Sequence, residues 1–130
     1  MNELARLAQS VQAHAYAPYS GYRVGAALRS ASGQVFTGAN FENLSFGATI
    51  CAERNAVGAM ITSGETKIAE LVVATEDAGP PCGLCLQVLS EFATSDLPIT
   101  LVNGDGKESQ HTLAEFLPNA FASSRVKRVE

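Results

Sequence analysis

The chain has 130 residues, with 9 Lys+Arg against 13 Asp+Glu and a formal net charge of -4. A chain of this length forms one core, so residues 1–130 are expected to fold as a single domain without disulfide support. Apolar residues make up 46%, which excludes a disordered chain, and the acidic balance argues against a polynucleotide or an anionic membrane as partner. Charged residues reach only 17%, fewer than the roughly 25% of average domains, so part of the surface is expected to be covered by copies of the chain. No apolar run is long enough for a membrane span, and the start (MNELARLAQS) lacks a basic segment followed by an apolar one. The expected location is therefore the cytoplasm. Cysteines number 3, and an odd count sits badly with a secreted disulfide framework.

In chain order, Leu4, Leu7, Ala8 and Val11 follow helical spacing, which predicts an amphipathic helix from Asn2 to Ala15. Pro18 and Gly21 break it. Val24–Leu28 and Val35–Thr37 predict a hairpin across the polar turn Ser30–Gly33. Asn40–Gly47 reads as a loop, and Ile50–Ile61 as a helix ended by Ser63 and Gly64. The run Leu71–Thr75, apolar up to its closing Thr, predicts a strand buried on both faces. After Gly79, Pro80 and Pro81 comes a helix over Cys82–Ala93, then a second buried strand at Ile99–Val102. Ser109–Thr112 reads as a weak strand and Leu113–Leu117 as a short helical turn. A hairpin followed by alternating helices and buried strands predicts an α/β sheet covered on both faces.

The cysteines carry the chemistry. Cys51 lies at the start of one predicted helix, just before Ala52-Glu53-Arg54, and Cys82 and Cys85 open another. Helix N-termini favour anions and draw thiols toward thiolates. Facing one another, two such ends would gather three sulfurs around a Zn²⁺ ion and leave its fourth position open. Glu53 would then stand beside zinc-bound water as a proton carrier, the arrangement that metal-assisted hydrolysis requires. Other readings compete. The cysteines could be plain core residues, or Cys82 and Cys85 a redox pair that leaves Cys51 and Glu53 unexplained. A closed structural zinc site would need His14 or His111 as its fourth ligand. Glu53 could equally be a helix-start acid complementing the dipole.

Cys51-Ala52-Glu53 followed by Pro81-Cys82-Gly83-Leu84-Cys85 matches the zinc deaminase signature in its all-cysteine form. Ala15–Ser20, Val24–Leu28, Asn40–Asn43, Cys82–Phe92 and Phe116–Pro118 with Phe121 extend the match over nearly the whole chain from Ala15 onward. In these motifs the chain resembles the small, homotetrameric cytidine deaminases. The resemblance implies a three-layer α/β/α fold with a mixed five-stranded sheet. It implies hydrolytic deamination of cytidine and 2′-deoxycytidine in pyrimidine salvage, with one Zn²⁺ per chain on Cys51, Cys82 and Cys85. Glu53 would shuttle protons, Asn40 and Glu42 would hold the sugar hydroxyls, and the Ala52 backbone would meet the base. Tyr22 stands where the family usually has Phe against the pyrimidine. Phe121 matches an aromatic residue that closes a neighbouring subunit's pocket.

The chain departs from the family at Leu86, where an Arg commonly follows the second Cys of the pair. Three thiolates on Zn²⁺ leave a net charge of about minus one, so the compensating role would fall to Arg54 and the helix N-termini. Phe41 and Phe46 are also bulkier or less polar than usual. Rival readings are a deaminase of a modified cytosine nucleoside such as blasticidin S, and a zinc-stabilised binding module.

Overall fold

The structure is a computed structural model, and it describes residues 2–121. Helix α1 (Glu3–Gln12) is capped by Asn2, whose Oδ1 accepts the Ala5 N–H at 2.7 Å. Asn2→Ala should cost about 1 kcal/mol, read as a fall in the thermal midpoint with no change at the cysteines. The helix stops before the predicted Ala15. Tyr16 instead donates its N–H to the Asn40 carbonyl and bridges to Phe41, which pulls the chain into extended structure.

Strands β1 (Gly25–Ser30) and β2 (Val35–Ala39) form the expected hairpin. Loop residues then lead through a short 3₁₀ turn (Phe46–Ala48) into helix α2 (Ala52–Thr62). Strand β3 (Ile68–Ala74), helix α3 (Gly83–Phe92) and strand β4 (Pro98–Val102) follow, then β5 (Glu108–Thr112) and the one-turn helix α4 (Leu113–Phe116). The five-stranded sheet has the order β2-β1-β3-β4-β5. It is mixed: β3 and β4 are parallel, and the remaining neighbours antiparallel.

Side-chain alternation divides the sheet into two buried faces. Ala27, Val72, Ala74 and Val102 point to one face, where Leu4, Ala5 and Ala8 of α1 cover them. Ala26, Leu28, Leu71 and Val73 point to the other, under Ala56, Val57 and Met60 of α2 and Leu86 and Leu89 of α3. This is the expected three-layer α/β/α arrangement. Two glycines set its closeness. A Cβ at Gly25 would meet the Ala8 carbonyl oxygen at 2.0 Å, and one at Gly38 the Ala52 carbonyl oxygen at 2.5 Å. Gly38 thus lets the first turn of α2 lie against β2. Among the described residues no helix is long and apolar enough to cross a membrane.

Candidate active site

The N-terminal ends of α2 and α3 meet beside the C-terminal end of β3, where open α/β sheets place their ligands. Cys51 and Cys82 are the capping residues of these helices, each with extended backbone (ψ 154° and 168°), and neither thiol makes a cap bond. Cys85 lies one turn into α3 and is fully buried. Pro80 and Pro81 keep the approach to Cys82 extended.

The three sulfurs lie within 4.8 Å of one another, and those of Cys51 and Cys82 are 3.7 Å apart. A disulfide would need about 2.05 Å. Tetrahedral zinc with Zn–S bonds near 2.3 Å has sulfur–sulfur edges of about 3.8 Å. The sulfur-only donor set and its spacing fit that ion. Among the described residues neither histidine joins the group.

The thiols are already polarised. Donors from Cys85, then Arg54 and Cys82, pull the Cys51 thiol down to about 5, against the opposing cost of its burial. Donation to Cys51, with burial, pushes the Cys85 thiol well up. A held thiolate at Cys51 beside the protonated Cys85 thiol is a site from which a soft cation can displace a proton. Arg54 supplies the nearby charge. Its Nη2 donates to Cys51 Sγ at 3.6 Å and to the Thr49 carbonyl at 3.3 Å, while its Nε is buried without a partner. Leu86 is 7% exposed and part of the core, so it offers the sulfurs no donor.

Glu53, in the first turn of α2, is 4% exposed, and burial pushes its carboxyl up to about 7. It shares with Cys51 and Cys82 a cleft of about 250 Å³ whose other walls include Tyr22, Asn40 and Glu42. Asn40 is largely buried. Its Oδ1 accepts from the Val24 N–H at 2.8 Å and its Nδ2 donates to the Tyr22 carbonyl at 2.9 Å. Glu42 accepts the N–H groups of Tyr19 (2.9 Å) and Ser20 (3.1 Å) on Oε1, and the Ser20 hydroxyl on Oε2. Those bonds, the hydroxyl foremost, hold its carboxyl below the usual range.

Two expected substrate contacts stand off the cleft wall. Ala52 is wholly buried with its side chain in the core, so only its backbone is available to a ligand. Phe121 is 65% exposed, its carbonyl accepting from Gln87 Nε2 at 3.0 Å. Sequence reasoning assigned no role to Ser20, Thr49, Thr75 or Gly79, which also line the cleft. Ser20 lay in plain view within Ala17-Pro18-Tyr19-Ser20, while nothing local marked Thr75. A larger open groove of about 550 Å³ runs between residues 66–68 and 91–94. It contains neither the sulfurs nor Glu53, so the chemistry belongs to the smaller cleft.

Two helix ends presenting Cys-x-Glu and Cys-x-x-Cys to one cleft, on a mixed sheet, define the class of zinc-binding nucleobase deaminases. A family model described as the cytidine and deoxycytidylate deaminase zinc-binding region matches residues 1–101, and the chain belongs to that family. It is 39% identical over 127 residues to a cytidine deaminase of Halalkalibacterium halodurans, covering 95% of this chain and 96% of the relative. A cytidine deaminase of Sporosarcina psychrophila is 36% identical over 124 residues, covering 94% and 91%. The crystal structure of cytidine deaminase from Burkholderia pseudomallei superposes with a TM-score of 0.86 at 38% identity, covering 93% of this chain and 100% of that one. That from Mycobacterium tuberculosis gives 0.80 at 37%, covering 92% and 94%.

Proposed function

We propose that the protein is a zinc-dependent cytidine deaminase that hydrolyses cytidine and 2′-deoxycytidine to uridine and 2′-deoxyuridine, releasing ammonia. The observation that carries this reading is the buried Glu53 carboxyl opening on the same cleft as the sulfurs of Cys51 and Cys82, with Cys85 beneath. Cys51, Cys82 and Cys85 would hold one zinc, which when bound supplies Lewis-acid activation of water at neutral pH. Glu53 takes the proton released from that water and passes it to N3 of the base as C4 is attacked. It then takes the hydroxyl proton of the resulting C4 adduct and delivers it to the exocyclic nitrogen, so that C4=O forms as the C4–N bond breaks and ammonia leaves. A carboxyl held near neutrality by burial can both accept and return a proton in this range.

Asn40 and Glu42 face the sugar. Their existing bonds fix the loops around them yet leave a second amide N–H on Asn40 and spare lone pairs on Glu42 for hydroxyl groups. The Tyr22 ring lies against the pyrimidine, and the Ala52 backbone meets its edge. Exposed Leu44, Phe46, Leu84 and Phe121 support assembly as a homotetramer in which Phe121 closes a neighbour's pocket. Within that assembly each chain is a single domain, acting in the cytoplasm in pyrimidine salvage, without nucleic acid or membrane as partner.

Ultraviolet monitoring of cytidine and deoxycytidine with the zinc-loaded protein tests the reading. Both should convert to the uracil nucleosides. Zinc-replete protein that converts neither would move the assignment to another cytosine nucleoside.

A further inference from the structure

The turn before Cys82 is wound around one phenolic oxygen. Tyr22 Oη donates to Asp77 Oδ1 at 2.7 Å, and the same carboxylate oxygen accepts from the Gly79 N–H at 3.0 Å and the Thr75 hydroxyl at 3.3 Å. Thr75 Oγ1 also accepts the Gly79 N–H at 3.0 Å. Between them Ala78 adopts φ 59°, the positive-φ non-glycine residue among those described. Such a conformation in alanine persists where its surroundings hold it. Gly79 has no room for a side chain: a Cβ there would lie 2.5 Å from Tyr22 Oη and 3.2 Å from Asp77 Oδ1. The other end of Tyr22 is also tied. Its N–H donates to Ser20 Oγ at 3.0 Å, and its carbonyl accepts from Asn40 Nδ2 at 2.9 Å.

Tyr22 therefore spans the cleft, between the loop bonded by Asn40 and the segment that delivers Cys82. We propose that Tyr22 is a positioning residue whose hydroxyl latches the Thr75–Gly79 turn and so sets the distance between its own ring and the Cys82 end of α3. A phenylalanine would supply the same ring without the latch. Asp77 is exposed, so the latch acts through geometry rather than through a strong buried bond. The inference rests on the proposed cytidine activity only for its kinetic readout.

The test compares Tyr22→Phe, Asp77→Ala and the double variant, all zinc-loaded, by cytidine kinetics and by amide exchange at Gly79. Each single variant should raise KM about fivefold, the scale of one net hydrogen bond, with kcat falling less than KM rises. Gly79 protection should drop, and the double variant should be no worse than Asp77→Ala alone, because that variant already removes the Tyr22 bond together with those from Gly79 and Thr75. Gly79→Ala, which forces the turn off the hydroxyl, should reproduce the KM change if Asp77→Ala folds poorly. An unchanged KM in Tyr22→Phe, or additive effects in the double variant, overturns the proposal. Wild-type protein inert toward cytidine would refute the substrate reading alone. Exchange at Gly79 would then decide the latch, and protection unaltered by Tyr22→Phe would refute it.

Discussion

Glu53→Gln should abolish deamination while leaving a folded, zinc-binding protein, with turnover down about a thousandfold. The glutamine side chain matches glutamate in shape, so it fills the same buried position at the start of α2. What it loses is the proton that must be taken up and given back. Folding should not suffer, because burial already disfavours the charged carboxylate, holding the group near 7, and a neutral amide carries no such cost. Steady-state rates on cytidine, zinc content and the thermal midpoint separate these effects. Turnover within tenfold of the wild type, with zinc retained, would mean that another group carries the proton. Loss of zinc together with activity would instead make Glu53 part of the metal-holding structure.

The cysteines and Glu53 were legible because the chemistry compresses into short windows: Cys51 and Glu53 open one helix, Cys82 and Cys85 another. The layers were legible for a different reason. Leu71–Ala74 is apolar on both faces, and Ile99–Val102 is so except for Thr100, which marks both as strands in the middle of a covered sheet. Polar β5 read weakly because it is an edge strand whose partner, β4, supplies the order. Other features depend on register between distant segments. The bond from Tyr22 to Asp77 exists because β1 and β3 are neighbours with Gly25 opposite Ala74, which brings the residues flanking those strand ends together. No local pattern encodes that. Asn40 is a related case: its polar character was visible, but its grip on the backbone of Tyr22 and Val24 follows from the hairpin's closure. A group expected to face only the sugar also builds the wall around it.

Arg54→Ala carries the other large effect: turnover should fall about 10- to 100-fold, with weakened zinc retention. Three thiolates around a divalent ion leave net negative charge, which blunts its Lewis acidity. The position after Cys85 holds Leu86, sealed into the core, so no donor reaches the sulfurs from there. Arg54 sits across the site with Nη2 3.6 Å from Cys51 Sγ and 3.3 Å from the Thr49 carbonyl, an anchor that orients the guanidinium. Its half-buried position raises the value of that contact above a surface ion pair. Alanine would remove both the donor and the charge, leaving two helix N-termini as the remaining compensation. Arg54→Lys separates these contributions: a point charge returns without the planar fork, so recovery should be partial. Leu86→Arg in the Arg54→Ala background is the sharper arm. If charge withdrawal from the sulfurs is what Arg54 supplies, a guanidinium restored one residue after Cys85 should recover part of the lost turnover, provided the thermal midpoint shows that the core tolerates it. Near wild-type turnover and zinc content in Arg54→Ala would remove the compensation argument and leave the helix ends sufficient by themselves.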